Sequence, residues 1–135
     1  MCDAKVLADV RADISGFSGD LGAVGHALFV KMFQRPGVQD QFPKYKGKSV
    51  DSVKAEITAH GKKVVAQLVD FAQKADTSDM SGMVADFISL HTKNKIPHAS
   101  IAAARDDIIS TLAAHGMKSA SWGAFLDFFF GAIKY

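Results

Sequence analysis

This 135-residue sequence predicts an all-α domain of about six substantial helices joined by short turns. Three observations lead there. Apolar residues recur at three- and four-residue steps along most of the chain, the spacing that gathers them on one face of a helix. No stretch keeps up the two-residue alternation of a half-buried strand. A hydrophobic content of 48% in a chain of this length supplies one buried core, and no long linker divides it, so residues 1–135 read as a single domain.

Asp3 is placed to cap a first helix to about Ser15, with Val6, Val10 and Ile14 as its apolar stripe and Gly16 at its end. Asp20 or Ser18 can open the second helix, which carries Val24, Leu28, Phe29, Met32 and Phe33 and is closed by Pro36. Gly22 and Gly25 lie inside it, where each costs roughly 1 kcal/mol against alanine. A close helix crossing is a reason to keep them, and Gly61 is the obvious partner. After Pro36 a short helical turn runs from Val38 to Gln41, and Phe42 to Ser49 reads as a loop.

Ser49 or Asp51 caps a long helix to about Lys74, in which Ile57, His60, Gly61, Val64 and Leu68 share a face that Phe71 extends. Ala75 to Asp79 is a polar break. In the shorter helix that follows, Val84, Phe87, Ile88 and His91 share a face, and Lys93 to Lys95 brings it to an end. Pro97 starts another, carrying Ile101, Ala104, Ile108, Ile109 and Leu112 and stopping at His115-Gly116. Ser119 or Ser121 caps the last. There Trp122, Phe125, Phe129 and Ile133 line one side while Phe128 and Phe130 make a second side aromatic, the mark of a helix buried between neighbours.

Composition removes several function classes. The formal net charge is +2, from 16 basic and 14 acidic side chains scattered along the chain, so there is neither a nucleic-acid stripe nor a polybasic membrane anchor. Phe42 and Tyr45 beside three lysines could form a small phosphate or nucleic-acid contact, but no other basic cluster supports it. A single cysteine, Cys2, excludes an internal disulfide framework and fits a reducing compartment. The first residues lack the continuous apolar core of a secretory signal. The richest apolar run, Phe125 to Ile133, is far too short for a membrane span and contains Asp127. A soluble cytoplasmic protein is the expectation.

His60 and His91 each stand among aliphatic or aromatic neighbours on a helix face. A histidine so placed can be a packed core residue bonded to a backbone group, and for either alone that is the plainer reading. Two helices, each turning one histidine into an apolar cleft, could instead hold a flat hydrophobic cofactor with a metal at its centre, which suggests haem. His26, His98 and His115 are off these faces and read as surface or helix-end residues.

The order of landmarks resembles the globin family over nearly the whole chain: Pro36 opening the third helix, Phe42 six residues later, Tyr45 three beyond, His60-Gly61 with Val64 four on, then Leu90-His91. The segment Phe42 to Ser49 and the Ser121-Trp122 pair are similar to the small globins of marine annelid worms, among them a haemoglobin that also acts as a dehaloperoxidase. The resemblance implies a globin fold around haem b (iron protoporphyrin IX), with His91 as proximal iron ligand and His60 as distal hydrogen-bond donor. It implies that Phe42 packs on the haem face, that Val64 walls the bound gas and that Phe29 roofs the distal pocket, Leu28 being the fallback if the corner is shifted by one. Tyr45, Phe87, Leu90, Ile96, Ile101, Ile108 and Phe129 fall at further haem-lining positions. Lys44 and Lys63 stand where relatives approach the propionates, and both read equally well as solvated surface lysines. The loop from Phe42 to His60 is short enough that a separate helix there is expected to be absent. Leu90 stands where a hydroxyl residue often precedes the proximal histidine, so a backbone carbonyl has to orient the other imidazole nitrogen.

What the resemblance implies first is reversible O₂ binding for transport or storage, with CO and NO as further gases, by a monomer or weak homodimer. A haem peroxidase is the second reading. Its usual parts are missing, because Phe87 and Leu90 flank the proximal face, Asp86 is wrongly phased and no arginine shares a face with His60. A distal histidine can still act as acid and base on peroxide, which leaves a secondary activity open. A third reading is a six-coordinate globin, with His60 itself on the iron, serving redox, NO or sensing chemistry; a helical bundle without cofactor is the fourth.

Overall fold

The computed structural model describes residues 2–135, and the described residues form seven α-helices, two short 3-10 turns and no strand. The helices are α1 (Ala4–Gly16), α2 (Leu21–Phe33), α3 (Lys54–Lys74), α4 (Met80–Lys93), α5 (His98–Ala102), α6 (Arg105–Ala114) and α7 (Ser121–Ala132). They group into two compact units, Ser18–Leu68 and the segment up to Phe17 together with Val69–Tyr135. No helix among the described residues is long and apolar enough to cross a membrane.

Local chemistry explains most of the boundaries. The Asp3 carboxylate accepts the Lys5 and Val6 amides at 2.8 and 3.2 Å at the start of α1. Asp20, not Ser18, caps α2 by accepting the Gly22 amide at 2.8 Å. Ser49 Oγ accepts the Ser52 amide at 3.2 Å, opening a single 3-10 turn, Asp51–Val53, that leads straight into α3. No separate α-helix stands between Phe42 and His60.

Two helix ends use the same 6→1 and 5→2 pair of bonds. At α6, Met117 and Gly116 donate to Leu112 and Ala113, with Gly116 at φ 95°. At α4, Ile96 and Lys95 donate to His91 and Thr92, and here it is Lys95 that holds the left-handed conformation, at φ 59°. A lysine there is strained where glycine is not.

One expectation is corrected and one choice is settled. The helix after Pro97 is not continuous: it breaks at Ala103 and Ala104, giving the five-residue α5 and then α6. Arg105, the first residue of α6, reaches Asp127 of α7 at 2.7 Å and Asp106 at 3.0 Å. Ala120 stands at the cap position of the last helix, and Ser119 just before it supplies the side-chain bond, its Oγ accepting the Ser121 amide at 3.2 Å, whereas Ser121 does not cap. Ser121 Oγ instead donates to Asp9 at 2.7 Å.

In the Ser18–Leu68 unit, α2 and α3 cross where Gly25 meets Gly61. A Cβ on Gly25 would fall 2.1 Å from the Gly61 carbonyl carbon, and one on Gly61 would fall 2.4 Å from that of Gly25. Gly22 has a different neighbour, Thr58, whose methyl would lie 3.2 Å from an added Cβ. Beside the crossing, buried Phe29, Tyr45, Val53 and Ile57 form a cluster, with Phe33, Phe42, Val50 and Val64 packed on it.

The other unit is built on the aromatic helix α7. Trp122, Phe125, Leu126 and Ile133 are essentially inaccessible, and fully burying one such side chain contributes about 1.5–3 kcal/mol. α1 packs along α7. From α1, Arg11 donates to the Ala72 and Gln73 carbonyls at 3.1 and 2.9 Å and pairs with Asp76. Those carbonyls end α3 without helical partners, and Arg11 satisfies them.

Candidate functional site

The aromatic cluster surrounds His60. Its imidazole lies 4.9 Å, centroid to centroid, from Phe29 and 6.0 Å from both Phe42 and Tyr45. Leu28, the fallback to Phe29, is buried as well. Tyr45 is 3% exposed, and its hydroxyl oxygen is 3.0 Å from His60 Nδ1. Burial, then the charge of Glu56, pushes that hydroxyl above the usual tyrosine range. The rings that a surface stacking platform would need are thus turned inward, while Lys44, Lys46 and Lys48 are exposed. Lys63 is exposed too, and Val64 is half-buried on the cluster.

His91 has a different setting. Its Nδ1 is 2.8 Å from the Phe87 carbonyl oxygen. A carbonyl only accepts, so Nδ1 carries the proton and Nε2 keeps its lone pair. This is the backbone carbonyl expected from Leu90, which is itself 54% exposed. The Phe87 ring stacks on the imidazole at 3.9 Å and meets Phe129 edge-on at 5.5 Å; Phe129 in turn meets Phe71 at 4.5 Å. Ile96, Ile101 and Ile108 are half-buried.

The remaining histidines are occupied differently. His98, at the start of α5, donates from Nε2 to the Phe130 carbonyl at 2.7 Å, and His115, at the end of α6, donates from Nδ1 to Thr111 at 2.9 Å. Both are helix-end residues but only half exposed; His26, in the middle of α2, is half-buried as well. Phe33 and Phe71 belong to the two aromatic sets and had no site role in the sequence reading. Phe33 follows Phe29 by four residues, so helical spacing alone could have placed it there.

These donors suit a haem better than a bare ion. Among the described residues no three His, Cys, Asp or Glu side chains come together as a metal site. A single imidazole presenting a lone pair, among aromatic and aliphatic walls, fits a metal already held by a flat macrocycle.

The comparisons agree. The chain matches the Globin family over residues 26–133. It is 31% identical over 137 residues to Globin CTT-IV of Chironomus thummi thummi, covering 96% of this chain and 86% of that one. It is 40% identical over 78 residues to Globin-1 of Liolophura japonica, covering 56% of this chain and 52% of the relative. A double mutant of the myoglobin of Aplysia limacina superposes with a TM-score of 0.84 at 23% identity, over 98% of this chain and 94% of that one. Ferric Aplysia limacina myoglobin with azide gives 0.72 at 25% identity, over 96% and 86%. The chain belongs to the globin family. Its fold is the globin fold, and haem and oxygen binding come with the family.

Proposed function

We propose that the chain is one globin domain that binds haem b and takes up O₂ reversibly, for storage or transport, with His91 as the iron ligand and His60 as the residue that contacts the gas. One observation carries this reading: the Phe87 carbonyl fixes the His91 proton on Nδ1 and leaves Nε2 as the electron-pair donor, with Phe87 stacked beside it. A haem held by His91 would supply the iron at which O₂, CO or NO binds.

The rest is done by the chain. Phe29, Phe42 and Val64 offer an apolar surface that keeps water away from the gas. Nε2 of His60 donates a hydrogen bond to a ligand that carries partial negative charge, which O₂ does far more than CO. A peptide carbonyl is a weaker acceptor than a carboxylate, so His91 is a moderate donor, as suits holding O₂ intact rather than cleaving an O–O bond.

The optical spectrum of the haem-loaded protein tests this, taken ferric, reduced under inert gas and then in air. A five-coordinate ferrous spectrum converting to a stable oxygenated one is the expected result. A six-coordinate ferrous spectrum without gas would put His60 on the iron, and fast oxidation with turnover of a phenol and peroxide would point to a peroxidase.

A further inference from the structure

The Tyr45 hydroxyl has one proton and two groups in reach, His60 Nδ1 at 3.0 Å and the Glu56 carbonyl at 3.5 Å, and Nδ1 can take that proton only as the lone-pair nitrogen. The Glu56 carbonyl lies in α3, where the helical repeat already gives it the His60 backbone N–H. The longer distance is also beyond an ordinary O–H hydrogen bond, and the shorter one is not. Distance and competition therefore favour Nδ1 as the acceptor of the Tyr45 proton. A neutral imidazole has a single N–H, so a Nδ1 that accepts leaves Nε2 as the protonated nitrogen. Burial keeps the Tyr45 hydroxyl protonated well into alkaline conditions, so it stays a donor.

We propose that Tyr45 is the positioning residue of the distal site: by donating to Nδ1 it holds His60 as the Nε2–H tautomer, a hydrogen-bond donor that cannot also give the iron a lone pair. The inference rests on His60 being the distal residue. It ties two properties to one hydroxyl, the retention of O₂ and the absence of a six-coordinate ferrous state. The Tyr45 ring has a separate task, filling space at 6.0 Å from both Phe42 and His60 and 5.9 Å from Phe33. Tyr45→Phe removes the hydroxyl and keeps the ring.

The test is nitrogen NMR of the His60 ring in isotope-labelled CO complex, together with ferrous optical spectra under inert gas and O₂ release rates. The unsubstituted protein is expected to carry the proton on Nε2. In Tyr45→Phe the proton spreads over both nitrogens, a six-coordinate ferrous fraction appears and O₂ leaves roughly 2- to 10-fold faster, the scale of one neutral hydrogen bond. Val53→Ala loosens the same buried cluster without touching the hydroxyl, and is expected to lower the melting temperature while leaving proton and spectrum in place. A proton on Nδ1 in the unsubstituted protein, a silent Tyr45→Phe, or a Val53→Ala that matches it would overturn the proposal. His60→Leu separates the two levels: if it leaves O₂ release unchanged, the assignment of His60 has failed, whereas a strong effect beside a silent Tyr45→Phe sinks only the role of Tyr45.

Discussion

Asp13 accepts the indole N–H of Trp122 at 2.8 Å, and the same carboxylate oxygen accepts the Ser119 amide at 2.8 Å. One side chain of α1 thus fixes both the start of α7 and its largest buried ring. Asp13→Ala leaves the indole N–H and the Ser119 amide without that acceptor, and we expect a loss of about 2–3 kcal/mol in urea unfolding. Asp13→Asn keeps an acceptor oxygen and is expected to lose less.

Gly61→Ala places a methyl group against the Gly25 backbone, which no side-chain rotation can relieve. We expect a loss of 3 kcal/mol or more, on the order of the larger core substitutions. Gly82, inside α4 with nothing within 4 Å of an added Cβ, is the opposite case. Gly82→Ala is expected to gain about 0.5–1 kcal/mol in the same denaturation assay.

Lys95→Gly relieves a left-handed lysine at the end of α4 while keeping both bonds of the motif. Thermal unfolding should show a gain of about 1 kcal/mol. A loss would mean that the lysine side chain has a stabilising partner stronger than the backbone strain.

Low pH should weaken the contacts of α1. Hydrogen bonding from Arg11 holds the Asp76 carboxyl below the usual range, and bonds from Ser121 and then Lys5 do the same for Asp9. For a lowered carboxyl, the stabilisation is present above the unfolded-state value and is lost as pH falls through the folded-state value. Melting temperatures between about pH 2 and about pH 6 should fall less steeply for Asp76→Asn and Asp9→Asn than for the unsubstituted chain.

His60→Leu should weaken O₂ by roughly ten- to a hundredfold, the worth of a charge-assisted hydrogen bond, and CO much less, while speeding oxidation in air. Rapid-mixing and flash measurements on both gases decide it; equal effects would remove the donor role.

The fold was legible wherever a residue's own chemistry imposes it. Asp3 and Asp20 cap because their carboxylates suit free amides, and Gly25 with Gly61 announced a crossing because two glycines inside helices need a reason. The break between α5 and α6 was not legible, since Ala102-Ala103-Ala104 is helix-forming sequence and contains no breaker; the bond of Arg105 to Asp127 lies 22 residues away. Nor was the bond of Asp13 to Trp122, 109 residues apart. At the site, helical spacing put Val64 beside His60 and Phe87 beside His91. It could not say that Tyr45, in a turn free to face either way, would aim its hydroxyl at Nδ1.

The contact of Gly25 with Gly61 has no rotamers. Phe29 follows Gly25 by one helical turn and His60 directly precedes Gly61, so the gap between the phenyl ring and the imidazole is measured off from a backbone-to-backbone stop. Exchanging Phe29 or Val64 for a smaller side chain then enlarges the room beside His60 by the volume removed, because the two helices, already touching, cannot draw together to fill it. The headroom above the histidine is a quantity that substitution can set one methylene at a time.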